Sequence, residues 1–499
     1  MAFQHSPSLS PCLLVSPSPV LPFSLSPLLV LLFFLPTAAS AADPWPTYRG
    51  NPQRTGNTDA RPGPANAKVL WVLPSEEHFI ASPVAIEDRL YVSTLGALNV
   101  STFMCLALDP KAEKDRKLWS KTTPYLKLPT VSSPAVVDGK LIFGDGMHQN
   151  NGGILHCVDA VKGTLIWQLP LPGELIHIEG CPTVVDGKVY IGAGNAGVLC
   201  LDMNRVTLDG KELSVKEIQI ILDKKWKELL ARYEEDKKKD PDLARKPDED
   251  DLPKPAPVIL WQKGQDKWHV DAPVTVVDGK VLVCSAYLED EKLGDRALYC
   301  LDAKSGDERW RTTLTLNPWG GASVQGNTIV VGGSSIRYDP KLLKGAKGDV
   351  VAFNLADGKE IWRKEIRDAR GNTGGVISSV ALTSEAAVAA ATDGKIRAFA
   401  LKDGEKLPVY DGKVPFFASP AVVGDTVYAA DLKGVVHAID LANMQAKWTL
   451  DLGTDEKVKA PGMCYAGPIV HGGRIYIGTC NLEGPNARKP TALVCIGEK

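Results

Sequence analysis

The residues with the widest chemical reach in this chain are its eight histidines and a set of Asn, Asp and Trp residues beside glycine-rich turns. His78, His177 and His269 share one setting, five, five and four residues ahead of Pro83, Pro182 and Pro273. Imidazole at a repeated position suits either metal binding or a polar, pH-responsive rim. A metal needs its donors within ~2.1 Å of one ion, and histidines from separate segments favour the rim. A metal role is therefore left unassigned. A second group comprises Asp145, His148, Asn150 and Asn151, then Asn195, Asp393, Asp431 and Lys433, with the aromatic residues Trp268 and Trp319. Aromatic, amide and carboxylate groups together can bind a sugar or another small polar ligand. The competing reading is turn chemistry, which Asn and Asp favour. Cys464 and Cys480 flank Gly472-Gly473 on either side and form a candidate disulfide in an oxidising compartment. No phosphate-binding loop or nucleophile–base motif stands out, so no catalytic residue is assigned.

These side chains are carried by a repeat. The string VVDGK recurs at 136–140, 184–188 and 276–280, with VVGDT at 422–426 and VHGGR at 470–474 as looser relatives. Asp-Gly between apolar runs predicts a hairpin, because a type I′ turn needs positive φ at both central residues. A small residue and a proline lead each hairpin, as in Ser133-Pro134 and Ala272-Pro273, where proline can open a strand. A second signal follows, CVDAVKGTLIW at 157–167, CLDAKSGDERW at 300–310 and AFNLADGKEIW at 352–362. It predicts two more strands around a left-handed glycine, so one unit is four antiparallel strands.

Trp71, Trp119, Trp167, Trp261, Trp310 and Trp362, then Tyr410 and Trp448, are spaced by 48, 48, 94, 49, 52, 48 and 38 residues. Eight positions predict an all-β, eight-bladed β-propeller of four-stranded antiparallel blades over 68–499, with one helical insertion where the spacing doubles. Trp71 precedes the first hairpin and the last unit stops at Cys495, so the N-terminal strand is expected to close the last blade. The tryptophans are read as packing between blades. Cys105, Cys157, Cys200, Cys300 and Cys495 share a repeat position with Ala352, Ala398 and Ala438 and are read as small buried strand residues. In such a ring, the histidines and the Asn, Asp and Trp group fall at the mouth of the central funnel.

The pattern small-x-Asp-x-x-x-Gly-x-x-x-Trp resembles the tryptophan-docking repeat of the quinoprotein-type propellers. That family unites pyrroloquinoline-quinone (PQQ) dehydrogenases with non-catalytic relatives such as outer-membrane-assembly scaffolds. WPTYRGNPQRTGN at 45–57 resembles the lead-in that often precedes its first blade. For the dehydrogenases the resemblance implies a quinone held between a tryptophan and a ring of two adjacent cysteines, with calcium bound by oxygen ligands. No Cys-Cys pair and no Cys-x-x-Cys-His haem motif occurs here, and Asn317-Pro318-Trp319 is only a short echo of the enzymatic segment.

The chain has 499 residues, 57 Lys+Arg against 59 Asp+Glu, and a formal charge of −2, which removes the electrostatic case for a dedicated nucleic-acid binder. Residues 1–41 lack Asp, Glu, Lys and Arg, contain LLVLLFFL at 28–35 and end in Ala39-Ser40-Ala41, which predicts a signal peptide. The apolar run is too short for a bilayer-spanning anchor. The expected mature protein has a lead-in segment at 42–67 and is a periplasmic or secreted monomer. Between 203 and 257 the repeat gives way to a charged insertion: SVKE at 214–217 predicts a capping box, and Ile218, Ile221, Leu222, Leu229, Leu230 and Tyr233 form a helical stripe to about Lys239. This helix either packs on blade three or serves as a docking arm. The combined expectation is an exported, non-catalytic propeller that binds a protein partner or small polar ligand at its funnel face. The alternative is a PQQ-dependent oxidoreductase acting on alcohols or sugars, with PQQ and calcium as cofactors.

Overall fold

The computed structural model describes residues 45–58, 61–368 and 370–498, so the expected signal peptide lies outside the described residues. Each repeat unit forms one antiparallel sheet, four-stranded in seven blades and five-stranded in the third, where Lys211–Ser214 of the insertion adds a strand, and the sheets make an eight-bladed propeller. Blades one to seven span 84–121, 135–172, 183–263, 275–313, 322–365, 381–411 and 421–451. Blade eight combines 469–497 with the N-terminal strand Lys68–Ser75, whose residues pair antiparallel with Thr491–Gly497. The three VVDGK turns hold Asp138, Asp186 and Asp278 at φ 47–50° and the following glycines at φ 68–71°, the type I′ geometry. Inner strands such as Thr426–Ala430 are buried throughout, whereas outer strands such as Glu308–Thr313 are mostly exposed. Inner strands are covered on both faces by neighbouring blades, which explains their unbroken apolar runs.

The repeated tryptophans bridge neighbouring blades. The indole N–H groups of Trp119, Trp167, Trp261, Trp310 and Trp362 donate to the carbonyls of Ala160, Met203, Ala303, Leu355 and Leu401 at 2.9–3.3 Å, each acceptor lying in the next blade. Gly163, Gly306, Gly358 and Gly404 adopt φ of 68–74°, and a Cβ on any of them would come within 2.5–2.7 Å of the facing indole ring. Glycine is thus needed there both for the left-handed turn and for the ring above it. Trp71 departs from the pattern. The facing turn has no glycine, the Arg116 guanidinium lies 3.9 Å over the indole, and Arg116 itself donates to Leu108 O, the carbonyl equivalent to the acceptors used elsewhere. Tyr410 instead meets His437 Nδ1 through its hydroxyl at 2.9 Å.

Residues 45–57 thread around one end of the channel. Their carbonyls accept N–H groups from the innermost strands of six blades: Trp45 O from Ala85, Pro46 O from Val136, Pro52 O from Val276, Gln53 O from Val324, Thr55 O from Leu382 and Gly56 O from Val422. Blade three is joined by Arg54, which donates to Cys181 O and Pro182 O at 3.1 and 3.0 Å. Channel-facing strands are sheet edges, and this segment gives their N–H groups partners.

The insertion forms helix α1, Val215–Lys239, with the expected capping box: Ser214 Oγ accepts from Glu217 N, and the Glu217 carboxylate accepts from Ser214 N. Ile218 and Leu222 are buried in the core shared by blades two and three, with Trp226 and Leu229 packed alongside. Ile220 and Ile221 are exposed instead. The following charged segment is also fastened down, since Lys121 pairs with Glu249 and Lys127 with Asp250, 2.9 Å apart in the second case. Ser214→Ala should weaken the helix start by about 1 kcal/mol. Hydrogen exchange should quicken at residues 215–222 while exchange in the blades is unchanged.

Cys464 and Cys480 are both free and buried, which corrects the candidate disulfide. The turn at Gly472-Gly473 is symmetric, but further out Met463 rather than Cys464 stands opposite Cys480. A one-residue offset turns a strand side chain to the other face.

Candidate functional site

His78, His177 and His269 each lie six residues before the innermost strand of their blade. His177 and His269 belong to neighbouring blades three and four, and their rings lie 5.3 Å apart. The loop after the second strand of blade two adds His148, whose ring is 5.4 Å from His177 and 5.6 Å from His269. One ring nitrogen of each lies within 4.8 Å of the other two. The expectation that histidines from separate blades stay apart thus fails for adjacent blades, whose equivalent positions draw together toward the axis. It holds for His78, in blade one, whose Nδ1 accepts from Asn481 N at 3.0 Å.

Carboxylates enclose this trio. Asp271 bridges two rings, its Oδ1 2.8 Å from His177 Nε2 and its Oδ2 2.8 Å from His269 Nε2. Glu179 Oε1 accepts from His148 N at 2.7 Å, and Glu291 Oε1 is 3.0 Å from His148 Nε2. His177 and His269 are fully buried; His177 also bonds the Leu175 main chain, whereas His269 Nδ1 is buried without a hydrogen-bond partner among the described residues. Burial disfavours an imidazolium at His177, but the charge and hydrogen bond of Asp271, with Glu179 behind it, outweigh burial and lift its pKa to about 9. Burial also opposes the Asp271 charge, yet His269 and His177 hold that carboxyl well below the usual carboxylate range. At Glu179, burial and then the Asp271 charge push the pKa upward. Asp271, Glu179 and Glu291 were not singled out from sequence, although the repeated His-x-acid pairs His177-Ile178-Glu179 and His269-Val270-Asp271 carry the signal.

The other rim residues are placed differently. Asp145 is fully buried inside blade two, where it meets His156 Nε2 at 2.8 Å and accepts from Ile154 N. Asp393 forms a two-pronged pair with Arg397, and Asp431 meets His437 Nε2 at 3.2 Å. In each case a carboxylate just after the second strand turns onto a basic residue of the third strand of its own blade, so these three are structural rather than ligand-facing. Asn195 donates to Asp266 Oδ1 at 3.1 Å. Trp268 stacks on Tyr299 with ring centroids 4.1 Å apart and covers Gly264. Trp319 is half-buried, with an indole N–H that is buried and lacks a partner among the described residues. At the opposite mouth, a polar cavity of about 630 Å³ is lined by Asn51, Gln53 and Thr55 of the threading segment and by Asp278 and Gln325.

The geometry of the ring and of this cluster can be set against known proteins. A family model described as "Outer membrane protein assembly factor BamB" matches residues 63–225 and 258–491, leaving out the second half of α1 and the segment after it. A curated relative, outer membrane protein assembly factor BamB of Bordetella pertussis, is 23% identical over 217 residues, which is 42% of this chain and 54% of that protein. The match thus spans about half the length of that relative. Among solved structures, BamB from Moraxella catarrhalis superposes with a TM-score of 0.55 at 14% identity, covering 87% of this chain and 98% of that one. Quinohemoprotein alcohol dehydrogenase from Comamonas testosteroni gives 0.57 at 13% identity, covering 92% of this chain and 81% of that one. Those two structures share the ring and differ in what they do, so they speak for fold alone. On the extent of the family match, the chain belongs to the PQQ-type propeller family described as outer membrane protein assembly factor BamB.

Proposed function

We propose that this chain is an exported, non-catalytic propeller that acts as a monomeric binding scaffold in the cell envelope, engaging a protein partner through its funnel face. The observation that carries this reading is the family match over both halves of the ring. The donor set supports it. Calcium takes six to eight oxygen ligands, whereas the cluster at the mouth is rich in imidazole, and the sequence lacks the adjacent cysteines that would clamp a quinone. The exposed face of α1, which carries Ile220 and Ile221, is a second contact surface in the same reading.

Two measurements test it. Loss of the gene in its native cell should lower the amount of folded outer-membrane proteins in the envelope, and unchanged amounts would overturn the scaffold assignment. Titration of PQQ into the purified protein, followed by tryptophan fluorescence and calorimetry with and without calcium, should give a flat response. Saturable one-site binding that is lost in Trp319→Ala would return the alternative, a PQQ-dependent oxidoreductase.

A further inference from the structure

We propose that His148, His177 and His269, with Asp271 as their carboxylate, form a binding site for one divalent transition-metal ion of the zinc class. This inference is independent of the scaffold reading. Three imidazoles from three different blades bring one nitrogen each to within 4.8 Å of the others. A tetrahedral ion with bonds of ~2.1 Å sets its ligands about 3.4 Å apart, so closure needs a movement on the order of 1 Å. His148 can supply that movement. It sits on a turn and is the half-buried member, whereas His177 and His269 are fixed in the interior.

Asp271 does what a carboxylate does beside metal-binding histidines. It fixes both rings through their Nε2 atoms and leaves the buried Nδ1 atom of His269 without a partner among the described residues. A buried nitrogen without a partner is costly, and the one on His269, at a cluster of three imidazoles, is available to a further group. The charge balance points the same way. Asp271 and Glu179 stand at one end of the cluster, each with an oxygen within 4.8 Å of a His177 nitrogen, so acidic oxygens surround the imidazoles and favour a cation there. Imidazole-dominated donors select zinc, nickel, cobalt or copper over calcium and magnesium, which prefer all-oxygen shells. The partly exposed side chains of His148 and Glu291 leave a path by which an ion enters.

The test is calorimetric titration of ZnCl2 into the full chain after treatment with a chelator, alongside cobalt(II) absorption. One equivalent of zinc should bind, calcium in excess should not compete, and cobalt should give the visible bands of a tetrahedral nitrogen-rich site. His148→Ala and His148→Gln, at a half-exposed turn position, should retain the native circular dichroism and weaken zinc binding by more than about 100-fold. Asp271→Asn should weaken it by roughly 10- to 100-fold, the range for a carboxylate that orients metal-bound histidines. His78→Ala, outside the cluster, should bind like the parent. No zinc uptake by the parent chain, or equal uptake by both folded His148 variants, would overturn the proposal. Neither result would alter the envelope phenotype or the PQQ titration, so failure here is distinguishable from failure of the scaffold reading.

Discussion

Arg54→Ala should destabilise the propeller by on the order of 4 kcal/mol, because one side chain holds the threading segment to two blades. Arg54 is 1% exposed. Its Nη2 donates to Cys181 O, Pro182 O and Thr183 Oγ1, its Nη1 to Thr47 Oγ1 and Tyr48 O, and its Nε to Val274 O. Burial draws its pKa down to about 10, so the guanidinium is still charged at neutral pH. Truncation strands several buried carbonyls at once, and each unsatisfied group costs ~1–3 kcal/mol before water or neighbours compensate. Arg54→Lys should recover only a small part, since an ammonium cannot reproduce the planar fork that reaches both blades. The guanidinium-chloride midpoint of the two variants against the parent reads this directly. A midpoint shift in Arg54→Ala no larger than that of an exposed-arginine control such as Arg232→Ala would refute it.

Trp362→Ala should cost about 3–5 kcal/mol, the range for removing a large buried aromatic. Its indole is buried, donates to Leu401 O at 2.9 Å, and covers Gly404 of the next blade. The loss opens the seam between two blades rather than the interior of one. Gly404→Ala should also destabilise, since the added Cβ would lie 2.7 Å from Trp362 Cδ2 at a φ of 69°. The two substitutions touch, so they should not add. In the Trp362→Ala background the ring that the new methyl strikes is gone, and Gly404→Ala should cost roughly 1 kcal/mol less than in the parent. Additive midpoint shifts would mean that ring and glycine are energetically separate, against the packing described above.

The ring was readable because its signals are local and repeated. Asp-Gly turns, the Gly-x-x-x-Trp spacing at Trp167, Trp310 and Trp362 and the regular interval between units all report short-range backbone geometry, and the Ser214 cap fixed the start of α1 in the same way. The candidate site was readable only in part. His177 and His269 were found as repeated positions, but their meeting depends on which blades are adjacent and on His148 arriving from a different loop. Asp145, Asp393 and Asp431 looked like rim residues because their partners His156, Arg397 and His437 lie on the next strand, where one face of the strand is as open to a sequence reader as the other. The path of residues 45–57 past the innermost strands of six blades was not legible, since those contacts are made by main-chain carbonyls.

The pairing of Lys68–Ser75 with Thr491–Gly497 also sets an order in time. Blade eight cannot be finished until the ribosome has delivered its last strand, more than 400 residues after the first one emerges. Through that interval the early strand waits with an open edge, and contacts of such sequence separation form slowly. Closure is therefore expected to be the late, rate-limiting event of folding. A nascent chain held just short of Thr491 should be a set of formed blades that is still open, and readily cut by protease within residues 68–75.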